Sequence, residues 1–166
     1  TMLPTTDAIT VSAELSRRFR LPLWQFTLTA TDANRHAIRY ARMVTGRRKI
    51  VVHNFCYHGS VDEAFATLDA DGRTVDRRSN IGPGVPTSET SIVVEFNDLA
   101  AMEAALATGE VAAVLLEPAL TNIGIVLPHI GYNETIRELT TQYGVLLIND
   151  ETHTICAGPG GYTAAA

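Results

Sequence analysis

The strongest constraint on this chain is a repeating order in which short apolar segments alternate with amphipathic ones. The apolar segments are rich in Val, Ile and Leu and occupy residues 49–55, 91–96, 111–118 and 145–150. Strands of this composition are buried on both faces, as in a parallel sheet. The segments with apolar residues at helical spacing are 32–45, 98–109 and 131–144. The alternation predicts an α/β fold with three layers, a mostly parallel sheet flanked by helices.

The remaining segments complete one predicted domain, residues 1–166. We expect an N-terminal helix at 5–19, followed by a core at 22–162. Its first strand is predicted to be a short buried one within 21–30, behind Pro22. In the helix at 32–45, a stripe of Ala33, Ala37, Ala41 and Val44 is predicted to face the core. Another helix is predicted to begin near Ser60, and the polar stretch 68–91 is predicted to run over the surface.

Charge and length exclude several classes of partner. The chain has 166 residues, 46% of them hydrophobic, which suffices for one sizeable core. A net charge of -5 gives no basic face for nucleic acid or an anionic membrane. No apolar run approaches the roughly 20 residues of a membrane helix, and the N-terminus lacks the order of a signal peptide. We therefore expect a cytoplasmic protein without nucleic-acid or membrane partners, and no disulfide between Cys56 and Cys156.

Four chemically rich segments each follow a predicted strand, where parallel sheets bind ligands. In the first, Thr29, Ala30 and Thr31 precede a helix, and backbone N–H groups at a helix N-terminus suit a phosphate. The alternative is that Thr31 or Asp32 only caps that helix.

The second and third segments offer an aromatic face and polar groups. Tyr57 can present its ring to an aromatic ligand, or pack at the rim of the sheet, with His58 beside it as a base or a neutral structural histidine. Glu117 and Asn122 can orient polar groups of a ligand, and Glu117 can equally hold neighbouring loops.

The fourth segment, "NDETHT", is the richest. Asp150 ends a predicted buried strand, so its carboxylate needs a positive partner such as a protonated ring nitrogen or a metal ion. Asp150 and Glu151 are adjacent on an extended segment and point to opposite faces, which argues against a compact metal site that includes His153. We predict no metal site.

Taken together, these segments resemble the class III, fold type I pyridoxal-phosphate (PLP) enzymes, in particular the glutamate-1-semialdehyde aminomutase branch. The resemblance runs from about Trp24 to Tyr162. It rests on "TATDANRHAIRYARMVTGRRKIV", "CYHGSVDEA", "VAAVLLEPALTNIGIVLPHIGY" and "YGVLLINDETHT", in the order of the family's phosphate turn, Tyr-His-Gly, Glu-Pro and Asp-Glu motifs.

The resemblance implies a role for each candidate residue. Ala30 and Thr31, next to Thr29, would bind the cofactor phosphate. Tyr57 would stack on the pyridine ring with His58 beside it, and Thr152 would touch the opposite face. Asn122 would lie near the phenolic oxygen, and Glu117 would support the site. Asp150 would pair with the pyridinium nitrogen, so Asp150 and Tyr57 are the predicted catalytic residues of this chain.

The sequence departs from the family in ways that bear on function. Ala30 stands where the family usually has Gly, and Thr152 where Val is common. The only lysine, Lys49, lies between a helix end and a strand start, away from the position of the family's Schiff-base lysine. We therefore expect an inactive piece of the large cofactor-binding domain, without the catalytic-lysine segment and the C-terminal small domain.

The resemblance predicts an aminotransferase or aminomutase that moves an amino group to or from an amino acid or a keto or semialdehyde substrate. It also implies a homodimer. The alternative function is a degenerate α/β domain that acts in association rather than catalysis. A hydrolase with a metal at Asp150 and His153 is a third, less favoured reading.

Overall fold

The computed structural model describes residues 5–164 and forms a parallel sheet with helices on both faces. Residues 1–4 and 165–166 of the predicted domain lie outside the described part. The helices are α1 (Thr6–Phe19), α2 (Ala30–Thr45), α3 (Thr87–Thr90), α4 (Leu99–Ala107) and α5 (Tyr132–Gln142). The strands are β1 (Lys49–His53), β2 (Ala66–Leu68), β3 (Thr74–Asp76), β4 (Ser91–Val94), β5 (Val111–Leu116) and β6 (Leu146–Asn149).

The main sheet has the strand order β4-β1-β5-β6, and all of its neighbouring strands are parallel. Every side chain of β5 is buried, because this strand lies inside the sheet with helices above and below it. The continuous apolar composition of the strand follows from that position. The predicted three-layer α/β fold is confirmed.

Alternate residues of the central strands pack against different helices. Ile50 and Val52 of β1 share a buried cluster with Ile38 of α2 on one face. Val51 points to the other face, where its cluster includes Met102 of α4 and residues of α5. The sheet is thereby fixed between two apolar layers, and its carboxyl edge is left to the connecting loops.

Two local predictions of strand and helix were wrong. Residues 21–30 do not form a strand, and Leu23 and Leu28 are 87% and 97% exposed. The backbone groups of a strand need a neighbouring strand to pair with. The strands that pair in this sheet all come from later segments of the chain. No α-helix begins near Ser60 either, where a short 3-10 helix at Asp62–Ala64 precedes the hairpin of β2 and β3.

The face that α2 buries also differs from the prediction. Asn34, Ile38 and Ala41 are its buried residues, whereas Val44 is 68% exposed. The helix is therefore rotated relative to the predicted alanine stripe. The rotation turns a polar residue, Asn34, toward the sheet.

The two ends of the structure are more exposed than the sequence predicted. Helix α1 has the predicted position but buries none of its side chains. Strand β6 lies at an edge of the sheet, so Leu146 is 40% exposed where a fully buried strand was predicted. Among residues 5–164, no helix combines the length and the apolar character needed to cross a membrane.

Candidate functional site

The loops that follow β1, β5 and β6 meet at the carboxyl edge of the sheet. The backbone N–H of Asp150 donates to the carbonyl of Leu116 (2.8 Å), which joins the end of β6 to the end of β5. The N–H of Tyr57 donates to Oε1 of Glu117 (3.1 Å), which joins the loop after β1 to the loop after β5. The parallel arrangement thus brings together residues that lie far apart in sequence.

Asp150 lies at the centre of this edge and accepts hydrogen bonds through both carboxylate oxygens. Its Oδ2 accepts from Nδ2 of Asn34 (2.9 Å) and lies 2.8 Å from Nδ1 of His58. Its Oδ1 accepts from the backbone N–H (3.1 Å) and the hydroxyl (2.5 Å) of Thr152. Burial alone would raise the pKa of Asp150, but these hydrogen bonds, that of His58 foremost, lower it below its ordinary value. The carboxylate is therefore held in its ionised form.

His58 is the charged partner of Asp150. Its side chain has no exposed surface, and burial acts to lower its pKa. The hydrogen bond to Asp150 and the nearby sulfur of Cys56 outweigh burial and raise the pKa of His58 from 6.5 to about 9. The raised pKa favours an imidazolium paired with a carboxylate at neutral pH over the alternative of a neutral structural histidine.

The N-terminus of α2 lies at the same edge. Thr29 caps this helix, because its hydroxyl oxygen accepts from the N–H of Asp32 (3.1 Å), and the N–H of Ala33 donates to the Thr29 carbonyl (3.1 Å). The cap is thus neither Thr31 nor Asp32. The N–H groups of Ala30 and Thr31 precede the first helical hydrogen bond, so they point out of the helix at the positive end of its dipole.

The loop that follows β1 fixes the side chain of Thr31. Its hydroxyl oxygen accepts from the N–H of Ser60 (3.1 Å). Gly59 has a φ of +74°, and a Cβ on this residue would collide with the Thr31 side chain. The close backbone approach at Gly59 therefore fixes how the first turn of α2 sits against the sheet.

Glu117 forms its hydrogen bonds with neighbouring loops and does not face open solvent. It is buried, and besides Tyr57 it binds Thr121, whose N–H (3.1 Å) and hydroxyl (2.5 Å) donate to its Oε2. Asn122 donates from Nδ2 to the carbonyl of Phe55 (3.0 Å). Together these bonds fix the backbone around Tyr57, a residue that is 49% exposed.

Glu151 and His153 turn away from Asp150. The Glu151 carboxylate accepts from the backbone N–H groups of Tyr162 (2.8 Å) and Thr163 (3.1 Å) and so closes the loop after β6. His153 lies with Nδ1 2.6 Å from the hydroxyl of Thr121. Within residues 5–164, no three His, Cys, Asp or Glu side chains come close enough together to hold a metal ion.

A cavity of about 800 Å³ opens beside Asp150. Its lining combines the α2 N-terminus (Thr29, Ala30), the end of β6 (Asp150, Thr152) and apolar side chains such as Trp24 and Leu28. The lining does not include Tyr57, His58, Glu117 or Asn122. His58 is connected to the lining through its contact with Asp150. An anionic carboxylate, a helix N-terminus and apolar walls around one cavity fit a flat heteroaromatic ring with a protonated nitrogen and a phosphate.

Two features of the site qualify what the sequence predicted. Asn34, which donates to Asp150 and also to the carbonyl of His58 (3.3 Å), was missed. The only indication of Asn34 in the sequence was that a polar residue stands one helical turn before Ile38. Lys49 lies at the amino end of β1, where its Nζ contacts Glu110 (3.0 Å), and the strand of five residues places it about 13 Å from the carboxyl edge.

Comparisons with known proteins agree with this geometry. The family model described as aminotransferase class-III matches residues 5–165. The glutamate-1-semialdehyde 2,1-aminomutase of Methanothrix thermoacetophila is 40% identical over 130 residues, which cover 78% of this chain and 30% of that protein.

Solved structures give the same result. A crystal structure of a glutamate-1-semialdehyde aminomutase from Pseudomonas aeruginosa superposes with a TM-score of 0.96 at 56% identity, over 99% of this chain and 36% of that one. A lysine-to-alanine variant of that enzyme has been solved in complex with PMP. An omega-transaminase from Sphaerobacter thermophilus has a TM-score of 0.87 at 31% identity, over 99% of this chain and 40% of that one. The chain thus spans about a third of the length of the proteins it matches.

Proposed function

Because this chain belongs to the class III aminotransferase family, we propose that it holds the ring nitrogen and the phosphate of pyridoxal phosphate in an aminotransferase or aminomutase. The observation that carries the proposal is the ionised Asp150 carboxylate, which borders one cavity together with the N-terminus of α2. One related structure is a transaminase with PLP bound, and another is an aminomutase variant in complex with PMP.

Asp150 would accept a hydrogen bond from the protonated ring nitrogen. When bound, the cofactor supplies an electron sink for amino-group chemistry, and that sink depends on the ring nitrogen staying protonated. His58 and Asn34 hold Oδ2, so the incoming N–H would take the place of the Thr152 hydroxyl on Oδ1. Thr152 would then be free to turn toward the ring face.

The phosphate would lie at the start of α2. The N–H groups of Ala30 and Thr31 and the helix dipole provide the binding, while the Thr29 hydroxyl donates to Oδ2 of Asp32 (2.9 Å) and stays a cap. Because Ala30 carries a Cβ where a glycine would not, the phosphate would be placed by the amide of Thr31 more than by close backbone approach.

The loops after β1 and β5 would complete the ring site. Tyr57 would stack on the face opposite Thr152, and Asn122 would bind near the phenolic oxygen. Glu117 would keep the backbone of Tyr57 in register through its hydrogen bond. Burial of the ring between Tyr57 and the sheet edge would exclude water from Asp150, which strengthens the bond between the carboxylate and the ring nitrogen.

The covalent link to the cofactor would come from a lysine outside this sequence. Lys49 is bound to Glu110 at the opposite edge of the sheet and cannot reach Asp150 without unfolding β1. The substrate class we propose is an amino acid or a keto or semialdehyde compound. Relatives of 40% and 56% identity named as aminomutases favour a semialdehyde. A homodimer and a cytoplasmic location remain predictions.

The test is cofactor binding followed by reduction. Pyridoxal phosphate is added to the chain, its absorbance spectrum is recorded, and borohydride and peptide mapping locate any adduct. We expect saturable binding that Asp150→Asn weakens at least tenfold and that Glu110→Gln leaves unchanged. The longest polypeptide of the same reading frame should form a reducible adduct on a lysine other than Lys49.

Two outcomes would contradict the proposal. An adduct on Lys49 that forms at the same rate in Asp150→Asn would place the cofactor elsewhere. No binding to either polypeptide would favour the alternative function, a degenerate domain that acts in association.

A further inference from the structure

Asn34 is a buried polar residue that faces the sheet from α2, with 5% of its surface exposed. Its Nδ2 donates to Oδ2 of Asp150 (2.9 Å) and to the backbone carbonyl of His58 (3.3 Å). Both partners are acceptors, since one is a carbonyl and the other an ionised carboxylate whose pKa is lowered. An amide turned by half a rotation would place its own oxygen against both of them. The geometry therefore fixes the –NH₂ group of Asn34 toward Asp150.

The packing of α2 on the sheet places Asn34 opposite Asp150. Ile38 and Ala41 follow Asn34 by one and two turns of the helix, and both are buried in the cluster that includes Val52 of β1. The helix cannot rotate about its axis without exposing these apolar side chains to water. Apolar packing therefore determines the direction in which the Asn34 amide points.

The same helix carries the N–H groups that would bind the phosphate. Asn34 follows Ala30 by four residues and Thr31 by three, so it lies one turn below them on the same side of α2. Ala30 and Asn34 both line the cavity beside Asp150. Because helical residues four apart are joined by a backbone hydrogen bond, α2 is a rigid connection between the two positions.

On the other side of this contact, Asp150 follows an edge strand of the described sheet. Its backbone N–H donates to the carbonyl of Leu116 (2.8 Å), but that bond does not set the direction of a side chain with rotatable bonds. His58 and Asn34 set it together, and their contributions differ. His58 supplies a positive charge, whereas Asn34 supplies a neutral donor from the helix that begins at the phosphate position.

We propose that Asn34 is a positioning residue that sets the separation between the Asp150 carboxylate and the N-terminus of α2, and so makes the site selective for a pyridine that carries a phosphate. The inference rests on the proposed function, which assigns the two ends of the cofactor to these two positions. A ring nitrogen and a phosphate on one rigid molecule reinforce each other's binding only if both positions match it at once. Loss of the Asn34 amide should leave each position present but remove the match between them.

The first measurement compares the affinities of pyridoxal phosphate and pyridoxal in the longest polypeptide of this reading frame. Asn34→Leu is similar in shape and removes the donor, so it should lower the affinity for pyridoxal phosphate about tenfold. Pyridoxal can bind wherever the Asp150 carboxylate points, so its affinity should fall much less. Asn133→Leu is the matched control, because Asn133 donates from Nδ2 to the carbonyl of Pro118 (3.1 Å) in the first turn of α5. That variant should keep the affinity ratio of the parent.

A second variant turns the donor on and off with pH. Asn34→Asp has nearly the shape of the parent, but its ionised carboxylate repels Asp150, whereas its protonated form donates an O–H to it. Two carboxyl groups this close raise the pKa of one of them, so the bond exists at low pH and is lost as the pH rises. The affinity ratio of the variant, divided by that of the parent at the same pH, should rise severalfold from about pH 8 to about pH 5. The parent at each pH accounts for the titration of the ligands and of His58.

A measurement without cofactor separates this inference from the proposed function. Urea unfolding of the parent, Asn34→Leu, Asp150→Ala and the double variant gives the coupling between the two side chains. We expect the two changes to be non-additive by about fivefold or more in the equilibrium constant for unfolding. If Asp150→Ala does not fold, the stability of Asn34→Asp relative to the parent, which should fall as the pH rises, reports the same contact.

The outcomes are distinguishable. Additive changes in stability, or an affinity ratio that Asn34→Leu leaves at the parent value, would overturn the inference even if the cofactor binds. Coupled side chains in a parent protein that binds neither compound would overturn the proposed function and, with it, the purpose of the contact. Agreement requires the coupling, the lower ratio in Asn34→Leu and the recovery of Asn34→Asp at low pH.

Discussion

The Nδ1 atom of His58 lies 2.8 Å from Oδ2 of Asp150, although the two residues are 92 positions apart in the chain. This contact joins the loop after β1 to the end of β6, although β1 and β6 are not adjacent in the sheet. Both side chains are almost fully removed from solvent, at 0% and 7% exposure. The pair therefore connects the stability of the sheet edge to the charge that the proposed function requires.

The stability of the protein should depend on pH through this pair. The pKa of His58 is raised from 6.5 to about 9 on folding, so its contribution is complete below about 6.5 and is lost as the pH rises through about 9. The pKa of Asp150 is lowered from 3.8, so its contribution is present above 3.8 and is lost as the pH falls further.

Urea unfolding at several pH values checks this dependence. We expect the free energy of unfolding that His58 contributes to fall between about pH 6.5 and pH 9.5. Because other groups also titrate there, the informative quantity is the difference between the parent protein and His58→Gln. A difference that stays constant across this range would contradict an imidazolium at His58.

Removal of the Asp150 charge should affect both stability and cofactor binding. Asp150→Asn leaves the His58 imidazolium without its counterion, and breaking a buried pair by removal of one partner costs about 3 kcal/mol. Glu110→Gln breaks the more exposed pair with Lys49, which should cost less than about 1 kcal/mol. Urea unfolding and pyridoxal-phosphate titration of both variants test the prediction. Equal effects in the two variants would contradict the central position of Asp150.

The position of most site residues could be predicted because strand ends in a parallel sheet share one edge. Asp150, Tyr57 and Glu117 each follow an apolar run, so the topology alone brings them together. Their hydrogen-bond partners could not be predicted in the same way. Asn34 is buried because Asp150, 116 residues later in the chain, lies opposite it. The periodicity of the sequence around Asn34 instead favoured an alanine stripe of similar width on the same helix.

The segment 21–30 shows the same limit for secondary structure. Its apolar residues satisfy the local pattern of a strand, but strand formation depends on a partner elsewhere in the chain. In this structure Trp24 and Leu28 line the cavity beside Asp150 instead. The apolar pattern therefore identified residues near the site but assigned them the wrong conformation.

The close approach between Gly59 and Thr31 should be required for phosphate binding. Gly59→Ala combines a left-handed backbone with a Cβ that collides with the Thr31 side chain, which should destabilise the fold by about 3 kcal/mol. Displacement of Thr31 would also move the N-terminus of α2 and should weaken pyridoxal-phosphate binding at least tenfold.

Gly72 offers a matched control. Its φ of +75° equals that of Gly59 within a degree, but a Cβ there meets nothing within 4 Å. Gly72→Ala should therefore cost only the backbone strain of about 1 kcal/mol and leave cofactor affinity unchanged. If the two variants behave alike, backbone strain rather than the contact with Thr31 explains the effect.

The helix caps allow a last test of where the phosphate binds. Thr29→Ala removes the cap of α2 and with it the bond from the Asp32 N–H, at a cost of about 1 kcal/mol in helix stability. Thr5→Ala removes the equivalent bond from the Ala8 N–H in α1, a helix that buries none of its side chains. Amide hydrogen exchange should show faster opening of the first turn in each altered helix, and Thr29→Ser should restore protection in α2.

Only the α2 cap should matter for the ligand. A frayed first turn no longer directs the N–H groups of Ala30 and Thr31 at one point, so Thr29→Ala should weaken pyridoxal-phosphate binding severalfold. Thr5→Ala should leave the affinity within error of the parent. Because pyridoxal without its phosphate lacks the group that α2 would bind, its affinity should be the same in Thr29→Ala and the parent. An equal loss for both compounds would mean that Thr29 acts on the ring site and that the phosphate lies elsewhere.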